Sequence, residues 1–302
     1  MATVNTRPCP DCAIVIPDNK VVCPHCGRPA RHLNVLCADR VNELEALERN
    51  FDESIRQSRK DGIENETNDF FRYCRDSKAV FCAPLRTLLP VINSHVDLFA
   101  DFYKLAELRC KALDGGKRNW DMLRCTAEAY LLEGKPNSVE LLYAALSINE
   151  RGLESYGECT FVLKEAMIGH RATVFPDNSA LYFEKNARKP NFGMRVRWQD
   201  RHKLCVVKNV CDIRSGMNFV HFCNLLLSQG DDKLSDRLIE VHVTGPISIR
   251  AFETIRLPKP ETLCSRFIEY LNIAKPLPRP EKLYFEMCKK MCVDYNVTFE
   301  SY

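Results

Sequence analysis

The 302-residue sequence contains no apolar run approaching the roughly 18–20 residues that cross a bilayer, which excludes a membrane-spanning helix. Its start, MATVNTRPCPDC, lacks the charged-then-apolar build of a secretory signal, so the cytoplasm is the expected compartment. Low-complexity tracts are missing too, and nothing repeats beyond two paired cysteine knuckles. Charge of either sign is barely in excess: 43 Lys and Arg against 40 Asp and Glu leave +3, a total that selects no partner class.

Apolar residues are not scarce. They make up 45% of the chain, enough for real cores, and the length suits two or three domains. Cysteine is abundant, with 16 residues. In a chain expected to stay reduced, the 12 scattered ones (16 less the 4 near the N-terminus) read as small buried hydrophobes rather than disulfides.

The remaining four have a spacing with its own chemistry. Cys9-x2-Cys12, ten residues, then Cys23-x2-Cys26 turns two pairs of thiolates toward one ion. Four thiolates complete a closed tetrahedral zinc site, which leaves no open position for catalysis. Pro10, Pro24 and Gly27 suit the tight turns, and so short a segment needs the metal to fold. A redox CxxC pair is the rival reading. Such a ribbon holds nucleic acid, holds a protein partner, or caps its neighbouring helices.

Pattern changes divide the rest. Residues 1–32 form the ribbon. Residues 33–137 read as helical, from CADRVNELEALERNFDESIRQSRK to WDMLRCTAEAYLLEG. From 138 to 262 the runs ECTFVLK, RATVFPD, ALYFE, MRVRW, KLCVVKNV and LIEVHV read as strands, with a helix at SGMNFVHFCNLLLSQ. Residues 263–302 return to helix. The class is α+β.

The run LIEVHV raises a chemical question. Side chains two apart on a strand point the same way, so Leu238, Glu240 and His242 share one face and Ile239, Val241 and Val243 the other. The second face suits a core and leaves a carboxylate and an imidazole together in a cleft. An edge strand with a solvated Glu–His pair is the plainer alternative.

RATVFPDNSALYFEKNAR (171–188) followed by IEVHVTGPISIRAFETIRLP resembles the second half of the DarT-type ADP-ribosyltransferases, as do Pro246 and FETIRLP after the strand. ERGLESYGECTFVLKEAM is similar to the opening of related bacterial ADP-ribosyltransferase-like domains, and in class the chain resembles the CmdT-like phage-defence toxins, which modify RNA. The likeness covers roughly residues 139–258. It implies a split-sheet ADP-ribosyltransferase-like domain, NAD as substrate and Glu240 as the catalytic glutamate, with His242 assisting proton removal. It also implies a toxin, with an antitoxin protein among its partners. The resemblance places a basic residue on the first strand, where this chain has Tyr143 and Ser147. Arg151 or Arg171 is then expected to hold the diphosphate, and Ser179 and Tyr182 to face the nicotinamide. Leu238 stands where arginine-modifying relatives look like they carry Glu or Gln, which turns the expected target toward nucleic-acid bases.

Between the two motifs, residues 185–208 carry eight cations against one acid, Asp200. They are Lys185, Arg188, Lys189, Arg195, Arg197, Arg201, Lys203 and Lys208, with Phe192 and Trp198 interleaved. Cations for phosphates and flat rings for unpaired bases suit RNA or single-stranded DNA. Two functions follow as expectations: an NAD-dependent transferase acting on nucleic acid, or a non-catalytic zinc-ribbon adaptor on a degenerate transferase fold.

Overall fold

The computed structural model describes residues 6–9, 12–17, 20, 22–27, 32–84, 98–99, 120–133, 141–186, 190–245, 247–258, 289, 293 and 296–302. The described chain is α+β, built on one eight-stranded, mostly antiparallel sheet. A two-stranded hairpin, β1 (Thr6–Pro8) and β2 (Val15–Pro17), holds Cys9 and Cys12 between its strands, and Cys23 and Cys26 follow it. Helices α1 (Leu33–Ala38), α2 (Val41–Lys60) and α3 (Glu64–Arg75) follow. The helix ends suit the backbone dipole: α3 opens with Glu64 and Glu66 and closes with Arg72 and Arg75.

Strand β3 (Lys78–Ala83) then enters the middle of the sheet, between β5 (Leu141–Ser147) and β6 (Cys159–Leu163). The helical reading of 33–137 gives way here. A strand covered on both faces shows a short continuous apolar run, AVFCA, without the alternation that marks strands in sequence. β4 (Leu98–Phe99) and α4 (Trp120–Leu131) complete that segment.

The rest of the sheet comes from β7 (Ala172–Phe175), β8 (Val196–Arg197), β9 (Glu240–Thr244) and β11 (Phe252–Leu257), with β10 (Ile247–Ser248) pairing to β4 outside it. Strand order is β12-β11-β6-β3-β5-β9-β7-β8, where β12 (Thr298–Ser301) lies parallel to β11. Eight of the described strands thus join in one hydrogen-bonded sheet, while β1 with β2 and β4 with β10 form two separate two-stranded sheets. The tail expected to be helical contributes an edge strand. Most of residues 263–302 lie outside the described residues, as does Pro246.

Two expected strands are helices. ALYFE lies in α6 (Ser179–Asn186), which follows the single turn α5 (Glu165–Ile168). The Asn178 side chain accepts the Leu181 N–H at 3.1 Å, capping that helix and committing its first turn. KLCVVKNV lies in α7 (Arg201–Asn209), whose buried Arg201, Leu204, Cys205 and Asn209 recur at helical spacing. Packing of α7 against α2 and α3 overrides the strand preference of its two valines. The expected helix near 219 is α8 (Phe219–Leu226).

β9 sits between β5 and β7, so both its edges are paired, and all five of its residues are buried, so both its faces are covered. Ile239, Val241 and Val243 join the main core with Leu204, Val206 and Phe222. The opposite face of the sheet meets a second cluster, in which Leu141 and Phe175 pack against Leu131 of α4 and Phe183 of α6. Glu240 and His242 lie on that second side.

Candidate functional site

Glu240 is the first residue of β9 and is 6% exposed; His242 is 2% exposed. Neither belongs to an edge strand with a solvated pair. His242 Nε2 lies 2.8 Å from Glu240 Oε2, and the same oxygen accepts the Ser179 N–H at 2.9 Å. Ser179 opens α6, so the carboxylate meets the positive end of that helix. Oε1 makes no hydrogen bond among the described residues. Ser179 Oγ is fully buried and also without a partner. An anion held through one oxygen, with the other open beside an unsatisfied hydroxyl, is an arrangement that polar ligand atoms would complete.

Register places Tyr143 of β5 opposite His242, with ring centres 5.3 Å apart, edge to face. The Tyr143 hydroxyl donates to Glu128 of α4 at 2.9 Å. Burial pushes the Tyr143 phenol far up, and the negative fields of Glu128 and Glu240 add to it, so it remains a donor. Tyr156 is raised in the same way, by burial and then by Glu240 and Asp236; Asn178 Nδ2 donates to its hydroxyl at 3.4 Å. The guanidinium of Arg124 lies over the Tyr143 ring, 5.5 Å from its centre. The site is therefore two buried acids among aromatic rings, with Arg124 over the Tyr143 ring and Lys233 over that of Tyr156.

A small hollow lies against His242, walled by Leu131, Leu141, Phe175, Thr173, Asn34 and Arg195, with an enclosed volume of about 10 Å³, space for one water. Neither Glu240 nor Ser179 lines it, and as it stands among the described residues it does not admit a nucleotide.

Of the other residues singled out in the sequence, Tyr182 stands near the site: its ring lies edge to face with Phe175 at 5.3 Å, and its hydroxyl contacts the Met194 sulfur at 3.6 Å. Ser147 does not face the site. Its hydroxyl closes a turn, donating to the Arg151 carbonyl at 2.8 Å. Arg151 is exposed at that turn. Arg171 donates to the carbonyls of Met167 and Thr244 at 3.0 and 2.9 Å. Thr244 is four residues beyond Glu240, roughly 13 Å along β9, so Arg171 sits at the wrong end for the expected diphosphate contact.

The basic run is turned largely inward. Arg195 is buried against Glu43, and Arg197 pairs with Asp200 and Asp39. Arg201 is buried with its guanidinium 4.1 Å from the centre of the buried Trp198 ring. Lys203 pairs with Glu48, and Lys208 donates to the Leu238 carbonyl at 2.9 Å. Lys185 and Phe192 are exposed, while Arg188 and Lys189 lie outside the described residues. The open cationic strip expected from sequence is not what the described residues present. The reason is electrostatic: the segment packs against Asp39, which ends α1, and against Glu43 and Glu48 of α2. Gly193 permits the approach, since with φ +85° a Cβ there would stand 2.9 Å from the Leu47 nitrogen.

At the N-terminus the four sulfurs of Cys9, Cys12, Cys23 and Cys26 lie within 4.8 Å of one another and could hold a metal ion. Cys9 to Cys26 and Cys12 to Cys23 are each 3.7 Å. Metal–sulfur bonds of about 2.3 Å in a tetrahedron give edges of about 3.8 Å, so the donor set fits structural zinc. The Cys26 N–H, and then that of His25, pull the Cys23 thiol down to about 6. Among the scattered cysteines, Cys37, Cys74, Cys159, Cys205 and Cys223 are buried as expected; Cys125 and Cys211 are exposed.

Sequence reasoning missed Glu128 and Arg124. The available signal was two charges one turn apart on the same helical face as Ala127 and Leu131, which are buried. It also missed Asn34, whose amide donates to the carbonyls of Arg171 and His242 and to Thr173 Oγ1, while its oxygen accepts from Thr244. No protein-family model matches the chain, and no curated protein matches it.

Proposed function

We propose that this chain is an NAD-dependent ADP-ribosyltransferase in which Glu240 is the catalytic carboxylate and nucleic acid is the acceptor. The observation that carries this reading is the setting of Glu240: buried, oriented through Oε2 by Ser179 and His242, and open at Oε1. When NAD is bound, loss of neutral nicotinamide from its ribose develops positive charge on the sugar, as in glycoside cleavage. A preorganised carboxylate favours that charge without reorganising at the moment of reaction. In this reading His242 takes the proton that the acceptor gives up, a role supported by its 2.8 Å contact with Glu240, which would steady the imidazolium. RNA or single-stranded DNA is the acceptor suggested by the basic and aromatic composition of residues 185–208, and by an N-terminal ribbon of a kind that holds such ligands. Zinc in that ribbon is structural in this reading. A toxin role with a protein antitoxin accompanies the resemblance.

The test is incubation of wild-type and Glu240→Gln protein with labelled NAD and RNA, single-stranded DNA or protein. Label on nucleic acid that disappears with the substitution is the expected result. Wild-type protein that releases no nicotinamide with any acceptor would overturn the proposal. Growth arrest on expression, relieved by the same substitution, is a quick companion assay.

A second reading, the non-catalytic zinc-ribbon adaptor, is favoured by the small hollow and by the inward-facing cations. It predicts retained binding of a macromolecule with no transfer.

A further inference from the structure

His242 has two ring nitrogens, and one of them is already engaged. Nε2 lies 2.8 Å from Glu240 Oε2, an oxygen that also accepts the Ser179 N–H. A carboxylate oxygen accepts, so Nε2 carries the proton of this bond and Nδ1 is left with a lone pair. Nδ1 makes no hydrogen bond among the described residues, although the residue is only 2% exposed. Directly opposite His242 in the sheet register stands Thr173 of β7, on the same face and also buried. Its Oγ1 accepts from Asn34 Nδ2 at 3.3 Å, which turns the hydroxyl proton away from Asn34. That proton has no acceptor among the described residues. An unused acceptor and an unused donor thus stand side by side on adjoining strands, and both residues line the hollow of about 10 Å³.

We propose that this hollow is the binding site of a single water molecule, which accepts the Thr173 hydroxyl proton and donates one of its own to His242 Nδ1. The volume matches one water, and larger ligands do not fit. Polar walls argue against a dry void, since cavities that stay dry are apolar. A cation is disfavoured, because the Arg195 side chain borders the same space. Thr173 Oγ1 and His242 Nδ1 make no direct hydrogen bond, and a bridging water spans such a gap with little penalty. The bonds then run in one direction, from Asn34 through Thr173, the water and His242 to Glu240, and each donor strengthens the next. The water holds the imidazole in the tautomer that donates to Glu240, as an outer partner fixes the tautomer of a metal-bound histidine. Thr173 is therefore a positioning residue for Glu240. What Glu240 does once positioned rests on the transferase reading; the water site and the tautomer do not.

The experiment pairs a crystal structure of the full chain, fine enough to show ordered solvent, with nitrogen NMR of histidine-labelled protein at neutral pH. His242→Gln identifies the His242 signals. Wild type should show one water within hydrogen-bonding distance of Thr173 Oγ1 and His242 Nδ1, with the ring proton on Nε2. Thr173→Val keeps the shape and removes the hydroxyl, so it should lose the water and shift the Nδ1 resonance. Thr173→Ser should restore both, and thermal melting confirms that each variant is folded. A hollow without water, a proton resident on Nδ1, or an Nδ1 resonance unmoved by Thr173→Val would each overturn the proposal. The first two are read on wild type alone. If NAD is cleaved, Thr173→Val should lower kcat by at least about tenfold with KM for NAD little changed, and Thr173→Ser should recover it. Failures of the two proposals separate cleanly. The water and the tautomer found, with no cleavage of NAD, sinks the transferase and leaves the water site. Cleavage of NAD by a wild type whose hollow holds no water does the reverse.

Discussion

Glu43 Oε1 lies 2.6 Å from Arg195 Nη2 and 2.8 Å from its Nε, and both side chains are almost wholly withdrawn from water. The other carboxylate oxygen accepts the Gly193 N–H at 2.6 Å. This pair fastens α2 to the loop before β8. It also explains how a cation from a run that looked like a nucleic-acid surface came to be internal.

Removing one member of such a pair strands the other charge in a low-dielectric setting, at a cost of about 3–5 kcal/mol. Glu43→Gln should therefore lower the denaturant midpoint strongly. Chemical denaturation of wild type and variant checks it. A loss under about 1 kcal/mol, the range of exposed pairs, would mean that water reaches the guanidinium in solution.

Asn34 joins α1 to β7 and β9 through four side-chain hydrogen bonds. Asn34→Leu keeps the volume and leaves buried carbonyls and hydroxyls unpaired. The expected loss is about 2–4 kcal/mol, from roughly 0.5–1.5 kcal/mol per bond plus the unmet groups. Amide exchange at His242 and Val243 should quicken more than exchange in β6, which Asn34 does not touch. Uniform quickening across the sheet would argue against a local fastening.

Metal removal should act on the N-terminus first. The ribbon core is little more than Ile16 and the cysteines, so its folding free energy comes from the ion. A strong chelator should release one zinc per chain, measured with a colorimetric dye, and expose residues 6–27 to proteolysis while the sheet persists. Cys23→Ser should mimic it. Purified protein holding no metal, with a protease-resistant N-terminus, would contradict the assignment.

His202 provides a pH signature. Burial first, and then the neighbouring Arg201 charge, lower its pKa from the ordinary 6.5 to about 4, and its ring packs edge-on to Phe71 at 4.6 Å. The unfolded chain then binds a proton that the folded chain refuses between pH 6.5 and 4. This group's contribution is whole above pH 6.5 and shrinks as pH falls toward 4. The drop in denaturant midpoint from pH 7 to pH 5 should be smaller in His202→Phe than in wild type. Identical drops would show that the imidazole is protonated freely when folded.

What the sequence determined by itself is local. The CxxC spacing places four sulfurs around one point, because a knuckle turn spans only a few residues. The alternation in LIEVHV puts Glu240 and His242 on one side of a strand, because side chains in a strand repeat every second residue. Tertiary structure decided the rest. SALYFEKN and RHKLCVVKN carry apolar runs too short to distinguish strand from helix, and a cap at Asn178 and packing against α2 and α3 chose helix. β3 lies among residues that read as helical, and its place between β5 and β6 depends on partners far away in the chain. The same holds for chemistry. Whether Arg195 faces phosphate or Glu43, and whether Glu128 meets Tyr143, depends on contacts between segments 15 to 152 residues apart. No local pattern encodes such contacts, since they form only when the chain has packed.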